Sequence, residues 1–389
     1  MTRIQLRSSS VLMMFGFTAT PRICSISPRV IGWRYATSAR VSKSAREYFA
    51  GRSCQRRDTG CATEDRTWIL NPLATSMISM PRPSYSACSA ESAAWPGQKS
   101  DTTPTATKGD HATKQEIRIT RITPEYWRVT LDNPPFNIFG PETIPQLNDV
   151  VTQIESDTKV KAVVFDSAVP GFFLTHYDFV PPLSATTNIP PGKTGLPALP
   201  DIFVRLSRTP VVSIAMIRGR ATGVGSELAL ASDMRFASRE KAILSQFEVG
   251  VGFTRGGGPM ARLPRLIGRG RALEVLLSGD DIDGDLAERY GYANRSFPDA
   301  QLDKFVDTLA RRIATFDKET IADIKQRVDM ASLPPDTDSG TEWATFIRSV
   351  QRPEAQQRIT ELMKLGLQVN PDVEKRLPHY TGLLGQGQP

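Results

Sequence analysis

From Glu116 onward the apolar positions fall into periods, whereas residues 1–112 show no sustained period. Ile117, Ile119 and Ile122, then Trp127, Val129 and Leu131, predict two strands in hairpin relation, broken at Thr123-Pro124-Glu125. Asp132 to Asn137, with its paired prolines, reads as a loop. Leu147, Val150, Val151 and Ile154 have helical spacing. The apolar runs Val160–Phe165 and Val211–Ile217 predict buried strands, with a turn and strand end over Gly171–Asp178 between them. Residues 181–200 are rich in Pro and Gly and read as a mobile loop leading to a short helix at Ile202, Phe203 and Leu206. Strands and helices then alternate, which argues for an α/β fold with parallel pairing. From Met260 the pattern is mostly helical. It is interrupted near Pro264 and Gly268, and a short strand returns at Tyr292–Phe297. Amphipathic helices follow at Leu302–Ile313 and Ile321–Val328, then a break at Pro334-Pro335, then helix from Trp343 to Leu367. Such a C-terminal cap packs on its own core or on a neighbouring subunit.

Composition separates the two parts. Eight Arg and Lys residues and no acidic residue fall within the first 46, against a net charge of +7 for all 389 residues, so the remainder is close to neutral. The basic character therefore belongs to the extension and gives no support for a nucleic-acid-binding body. Ser, Thr, Arg and Pro dominate residues 1–112, the composition of a disordered segment. Its first ~40 residues have the composition of a mitochondrial transit segment, with a candidate cleavage point after Tyr35. The alternatives are a linker or a mistaken start, with a cytoplasmic protein. Cys24, Cys54, Cys61 and Cys88 all lie in that extension and match no zinc spacing. With His176 the only histidine inside the periodic part, a histidine-rich metal site is not expected. No apolar run approaches the ~18–20 residues of a membrane span.

Candidate chemistry concentrates between Arg218 and Gly258. Gly219, Gly223 and Gly225 follow a buried strand and precede an Ala- and Leu-rich helix. Glycine permits positive φ and close approach of a ligand. A helix start offers unpaired N–H groups able to hold an oxyanion. The spacing is not that of a dinucleotide fingerprint. Glu227 lies in the first turn of that helix, where a carboxylate is favoured by the dipole whatever its function. Glu248, between an apolar strand end and Val249-Gly250-Val251-Gly252, has no such explanation. Two carboxylates held close together can divide acid and base roles.

Four motifs in order carry a resemblance to the crotonase (enoyl-CoA hydratase/isomerase) superfamily. Leu131–Asn137 resembles its N-R-P-x-x-N loop, and Gly219–Asp233 its G-x-x-x-G-G-G-x-E-L-A-x-x-x-D segment. Phe247–Gly258 resembles P-E-x-x-L-G-x-x-P-G-x-G-G, and Leu263–Gly279 the following helix pair. The resemblance implies a spiral of repeated ββα units over residues 113–315, with a C-terminal helical region at 316–389. It implies a homotrimer or hexamer, an acyl-CoA thioester as substrate, and no separate cofactor or metal, since coenzyme A is part of the substrate. The thioester oxygen is expected between the N–H groups of Thr175 and Val224. Glu248 is expected to exchange a proton with the α-carbon and Glu227 to orient and activate water. His176, Tyr177, Asp178, Gly223 and Gly225 complete the expected substrate contacts.

The departures fall mainly at the first oxyanion strand, where A-G-x-D is replaced by Thr175-His176-Tyr177-Asp178. His176 takes the place of a flexible glycine. It is read as a partly exposed loop residue, with a narrowed pocket mouth or an added catalytic group as the alternative. Val224 replaces a glycine, and Phe247 and Arg255 replace prolines. Gly256 stands where the resemblance places an acid in dienoyl-CoA isomerases. The expected function is hydration of a 2-enoyl-CoA. The alternatives are double-bond isomerisation, another crotonase-type lyase or decarboxylase reaction, and a silent fold used for binding.

Overall fold

The computed structural model describes residues 114–384. The basic extension, its candidate transit segment and its four cysteines lie outside the described residues. The hairpin expected at the start is formed by β1 (Ile117–Thr123) and β2 (Tyr126–Leu131), antiparallel. Thr123 Oγ1 closes its turn by accepting the N–H groups of Glu125 and Tyr126. After α1 (Thr143–Ser156) the chain runs β3 (Ala162–Ser167), β4 (Gly171–Leu174), α2 (Ser184–Thr187), α3 (Ala198–Arg208). Then come β5 (Val212–Ile217), β6 (Gly219–Thr222) and α4 (Val224–Ala231). The next repeat holds β7 (Met234–Ser238), β8 (Ile243–Ser245), a 3₁₀ turn at Phe247–Val251, α5 (Pro259–Ile267) and α6 (Arg269–Ser278). A last short unit holds β9 (Asp281–Asp283), α7 (Gly284–Tyr290) and β10 (Arg295–Phe297).

The pairs β3/β4, β5/β6 and β7/β8 each send the first strand into one sheet and the second into another. The larger sheet has the order β1-β2-β3-β5-β7-β10 and is parallel beyond the first hairpin; the smaller has the order β4-β6-β8-β9. This is the expected ββα spiral. Parallel strands are covered on both faces, so they read as unbroken apolar runs. Val163 and Phe165 of β3 join one core with α1 and α3. Ala162 and Val164 join another, which includes Leu302, Val306 and Ala310 of α8 (Asp299–Ala314).

Two local expectations change. The stretch expected only to link strand to helix is itself strand from Gly219 to Thr222, with Arg220 paired to Ile243, and the entry to the helix comes at Gly223. Pro264 lies inside α5 without ending it, and the break falls at Gly268. The segment 181–197 is also tied down. Asp201 Oδ1 accepts the N–H of Thr194 at 2.8 Å and its hydroxyl at 2.7 Å. Asp201 is in turn paired with Arg205, whose guanidinium also grips Glu155 through two bonds of 2.8 and 2.7 Å. Arg205 thus fastens α3 to α1. Arg205→Ala strands the buried Asp201 carboxylate, so we expect a loss of roughly 3 kcal/mol in urea unfolding.

The remaining helices are α9 (Lys318–Ser332), α10 (Asp336–Val350), α11 (Pro353–Leu365), α12 (Pro371–Lys375) and α13 (Leu377–Leu383). α9 contradicts its simple pattern: Ile321 is buried, but Ile324 and Val328 are 60% and 57% exposed. By contrast Ile359, Leu362, Val373 and Leu377 form a core with Phe247, Val251 and Phe253. The C-terminal helices therefore pack directly behind the Glu248 turn.

Candidate active site

The end of β4 and the start of α4 meet through one residue. Thr175 accepts the Gly225 N–H at its carbonyl (3.1 Å) and donates its own N–H to the Asn137 carbonyl (2.9 Å). Asn137 is itself fully buried, its side-chain amide donating to Ser167 Oγ and the Phe173 carbonyl. The expected assignment of Thr175 as an oxyanion donor is therefore corrected: its N–H is already spent inside the fold. Two residues on, the situation differs. Phe139 N–H donates to the His176 carbonyl and Asp178 N–H donates to the Phe139 carbonyl, a parallel bridge. In such a bridge the N–H and C=O of Tyr177 face away from Phe139. The Tyr177 N–H has no partner among the described residues, nor does that of Val224 at the first position of α4. Both residues line the same cavity.

Gly223 sets the entry to α4. Its φ of 55° and ψ of −118° suit glycine alone, and a Cβ there would stand 2.8 Å from Glu248 Oε1 and 3.3 Å from His176 Cα. Gly225 has no room either: a Cβ would lie 1.7 Å from the Leu174 carbonyl oxygen. These two glycines serve backbone packing, and through it the position of the carboxylates.

Glu227 and Glu248 face one cavity and are both buried. Glu227 accepts the Gly257 N–H at 2.9 Å and has no ion-pair partner among the described residues. Burial, followed by the charge of Glu248, pushes its carboxyl up to about 8. Glu248 is different. Burial raises it too, but Arg255 Nε stands 3.2 Å from its Oε2 and opposes the rise. The contact is a charge contact without hydrogen-bond alignment, and Glu248 Oε2 is left with no hydrogen-bond partner in the described protein. A buried carboxylate oxygen in that condition is a group waiting for a donor. Of the pair, the resting proton belongs on Glu227.

His176 is not a partly exposed loop residue; it is 1% exposed. Its Nδ1 meets the Tyr177 carbonyl at 2.8 Å, and its Nε2 lies 3.2 and 3.1 Å from the two carboxylate oxygens of Glu374 on α12. The ring stacks on Phe179 and meets Phe247 edge-on. Tyr177 lines the cavity with its hydroxyl bonded to Thr186 Oγ1. Asp178 does not: it accepts from Gln368 and the Val180 N–H and borders a separate surface depression beside Glu142. Its bonds fasten this loop to Gln368, and it stands outside the cavity.

The cavity measures about 40 Å³. Besides these polar groups it is lined by apolar side chains, among them Phe253, Trp343 and Phe346. Sequence reasoning missed four of its determinants. Arg255 was visible as a departure, but not as the partner of Glu248. Trp343 and Phe346 come from α10, and Glu374 from α12, with no local motif to announce any of them.

A family model described as enoyl-CoA hydratase/isomerase matches residues 125–365. The chain is 31% identical over 188 residues to the short-chain-enoyl-CoA hydratase of Clostridium acetobutylicum, covering 48% of this chain and 71% of that protein. It is also 31% identical over 192 residues to the mouse mitochondrial enoyl-CoA hydratase domain-containing protein 2, covering 48% and 64%. Among solved structures, a provisionally named enoyl-CoA hydratase of Streptomyces avermitilis superposes with a TM-score of 0.65 at 39% identity. The match spans 70% of this chain and 99% of that one.

Proposed function

The chain belongs to the enoyl-CoA hydratase/isomerase family, and we propose that it adds water across the double bond of a 2-enoyl-CoA. The observation that carries this reading is the pair of buried carboxylates on one small cavity, one beside a cation and one beside none. The thioester oxygen sits between the N–H groups of Tyr177 and Val224, where negative charge develops as the enolate forms. Water is held by Glu248, whose unpartnered oxygen takes one proton while the hydroxyl goes to the β-carbon. Glu227, carrying the resting proton, delivers it to the α-carbon. The proton on Glu248 then returns to Glu227, restoring the pair. This exchanges the two roles expected from the family resemblance, and Arg255 is the reason. No redox cofactor or metal takes part in these steps.

The test is loss of enoyl-thioester absorbance with crotonyl-CoA and longer 2-enoyl-CoAs. Absence of turnover at every chain length would sink the hydratase reading. Retained double-bond migration without hydration would assign isomerisation instead.

Activity is expected to fall as pH rises past about 8, because Glu227 then loses the proton it delivers. The residual activity of Glu227→Gln should lack that alkaline limb, whereas Glu248→Gln should keep it. Stability follows the same group. Below the ordinary value of 4.5 both folded and unfolded chains hold the proton; above it only the unfolded chain releases it, until the folded carboxyl ionises near 8. The stability due to this group therefore declines between those values. A thermal melt of Glu227→Gln should lose less between pH 5 and 8.5 than the wild type.

Two further features of the reading have their own support. Mitochondrial import is favoured over a cytoplasmic location by the basic, acid-free start of the chain and by the compartment in the mouse relative's name. A mature N-terminus near Ala36 would test it. Assembly as a homotrimer or hexamer is expected from the family resemblance; the exposed Ile324 and Val328 of α9 offer apolar surface to a neighbour, and light scattering of the purified protein decides it.

A further inference from the structure

The hydratase mechanism uses Glu227, Glu248 and two backbone donors, and leaves the buried His176–Glu374 contact unexplained. Its hydrogen bonds define its protonation. The Tyr177 carbonyl can only accept, so Nδ1 carries a hydrogen. At Nε2 the partner is a carboxylate, and Glu374 Oε1 also accepts the Gln368 N–H at 2.7 Å. An acceptor already engaged in that way favours the ionised carboxylate, so Nε2 also donates. His176 is then an imidazolium whose two N–H groups are both used. Burial works against that charge, and Glu374 outweighs it, holding the imidazole above its ordinary range. The other charged groups toward His176 are Glu248 from the 3₁₀ turn, with Arg255 behind it, and Asp178 on its own segment. Arg220 adds positive charge near Glu374.

Placement gives this clasp its consequence. The peptide groups from His176 to Asp178 are gripped from two sides. Phe139 holds the His176 carbonyl and the Asp178 N–H, while the imidazolium holds the Tyr177 carbonyl. Only the Tyr177 N–H is left over. Where the family resemblance expects a flexible glycine, this chain has a side chain that fixes the peptide it precedes.

We propose that His176 and Glu374 are a positioning pair: a buried imidazolium–carboxylate clasp that aims the Tyr177 N–H into the cavity and places a fixed positive charge beside the developing enolate. The pair links the oxyanion segment to α12. It rests on the hydratase reading for its catalytic effect, but its protonation does not.

Two measurements separate these. In ¹⁵N-histidine spectra of the full chain, His176 should show the doubly protonated signature at pH 7.5, identified by its disappearance in His176→Gln. The chain has only two other histidines, and His379 is exposed. In Glu374→Gln that signature should change to a neutral tautomer. In the crotonyl-CoA assay, Glu374→Gln should lower kcat by about 10–100-fold with KM changed less than about 3-fold, since a misaimed donor costs the transition state more than the ground state. A neutral His176 in the wild type overturns the proposal without any variant. Full kcat in a folded Glu374→Gln does so too. A wild type with no hydratase activity removes the hydratase reading, and the spectra still decide the clasp.

Discussion

Glu248→Gln is expected to lower kcat by about 10²–10⁴-fold on any 2-enoyl-CoA the wild type turns over. The amide fits the same space but cannot take a proton from water. It also leaves Arg255 facing a neutral group, so a small loss of stability should accompany the change. KM should move little, because the thioester is held by backbone donors rather than by this side chain. The informative comparison is Arg255→Met. If Arg255 keeps Glu248 ionised, removing it lets burial drive the Glu248 carboxyl further up, and kcat should then recover as pH rises. A pH-independent loss in Arg255→Met would show that the cation does not set the charge of Glu248.

The second large effect is structural. In Gly225→Ala the added carbon would sit 1.7 Å from the Leu174 carbonyl oxygen, and neither backbone is free to yield. The contact joins α4, which carries the cavity residues Val224 and Glu227, to the end of β4, two residues before His176. We expect a loss of more than about 3 kcal/mol, the upper range for an overpacked site. That corresponds to a fall in Tm of roughly 6–12 °C for a domain of this size. Activity should fall even below the melting range, because any relief moves Val224 away from Tyr177. Gly270→Ala on the exposed start of α6 meets nothing within 4 Å and serves as the control. It should leave Tm unchanged or raise it slightly.

The contrast between Glu227 and Glu374 shows what could be read from the chain alone. Glu227 sits two residues after Gly225, and its local pattern already marked a helix start with a carboxylate above it. Glu248 was legible for a similar reason, since nothing nearby explained it. The ββα spiral was legible because buried parallel strands leave unbroken apolar runs such as Val211–Ile217. The oxyanion donor failed by two residues. Thr175 and Tyr177 lie on one extended segment with the same local composition, and only the bridge to Phe139 decides which N–H is spent. His176 failed for a longer-range reason. Its burial is created by α12 and by Phe179 and Phe247 around its ring, none of which local periodicity can announce.

Glu374 lies 198 residues beyond its imidazole partner. On a ribosome, the two carboxylates and both backbone donors are translated long before the residue that locks Tyr177 in place. A nascent chain would thus carry every reacting group yet remain slow until α12 emerges and docks. Proteolytic nicking between α11 and α12 would return a finished molecule to the same immature state. Turnover therefore reports on docking of the last helices, and kcat on a partly digested sample would count intact C-terminal regions rather than intact active-site residues.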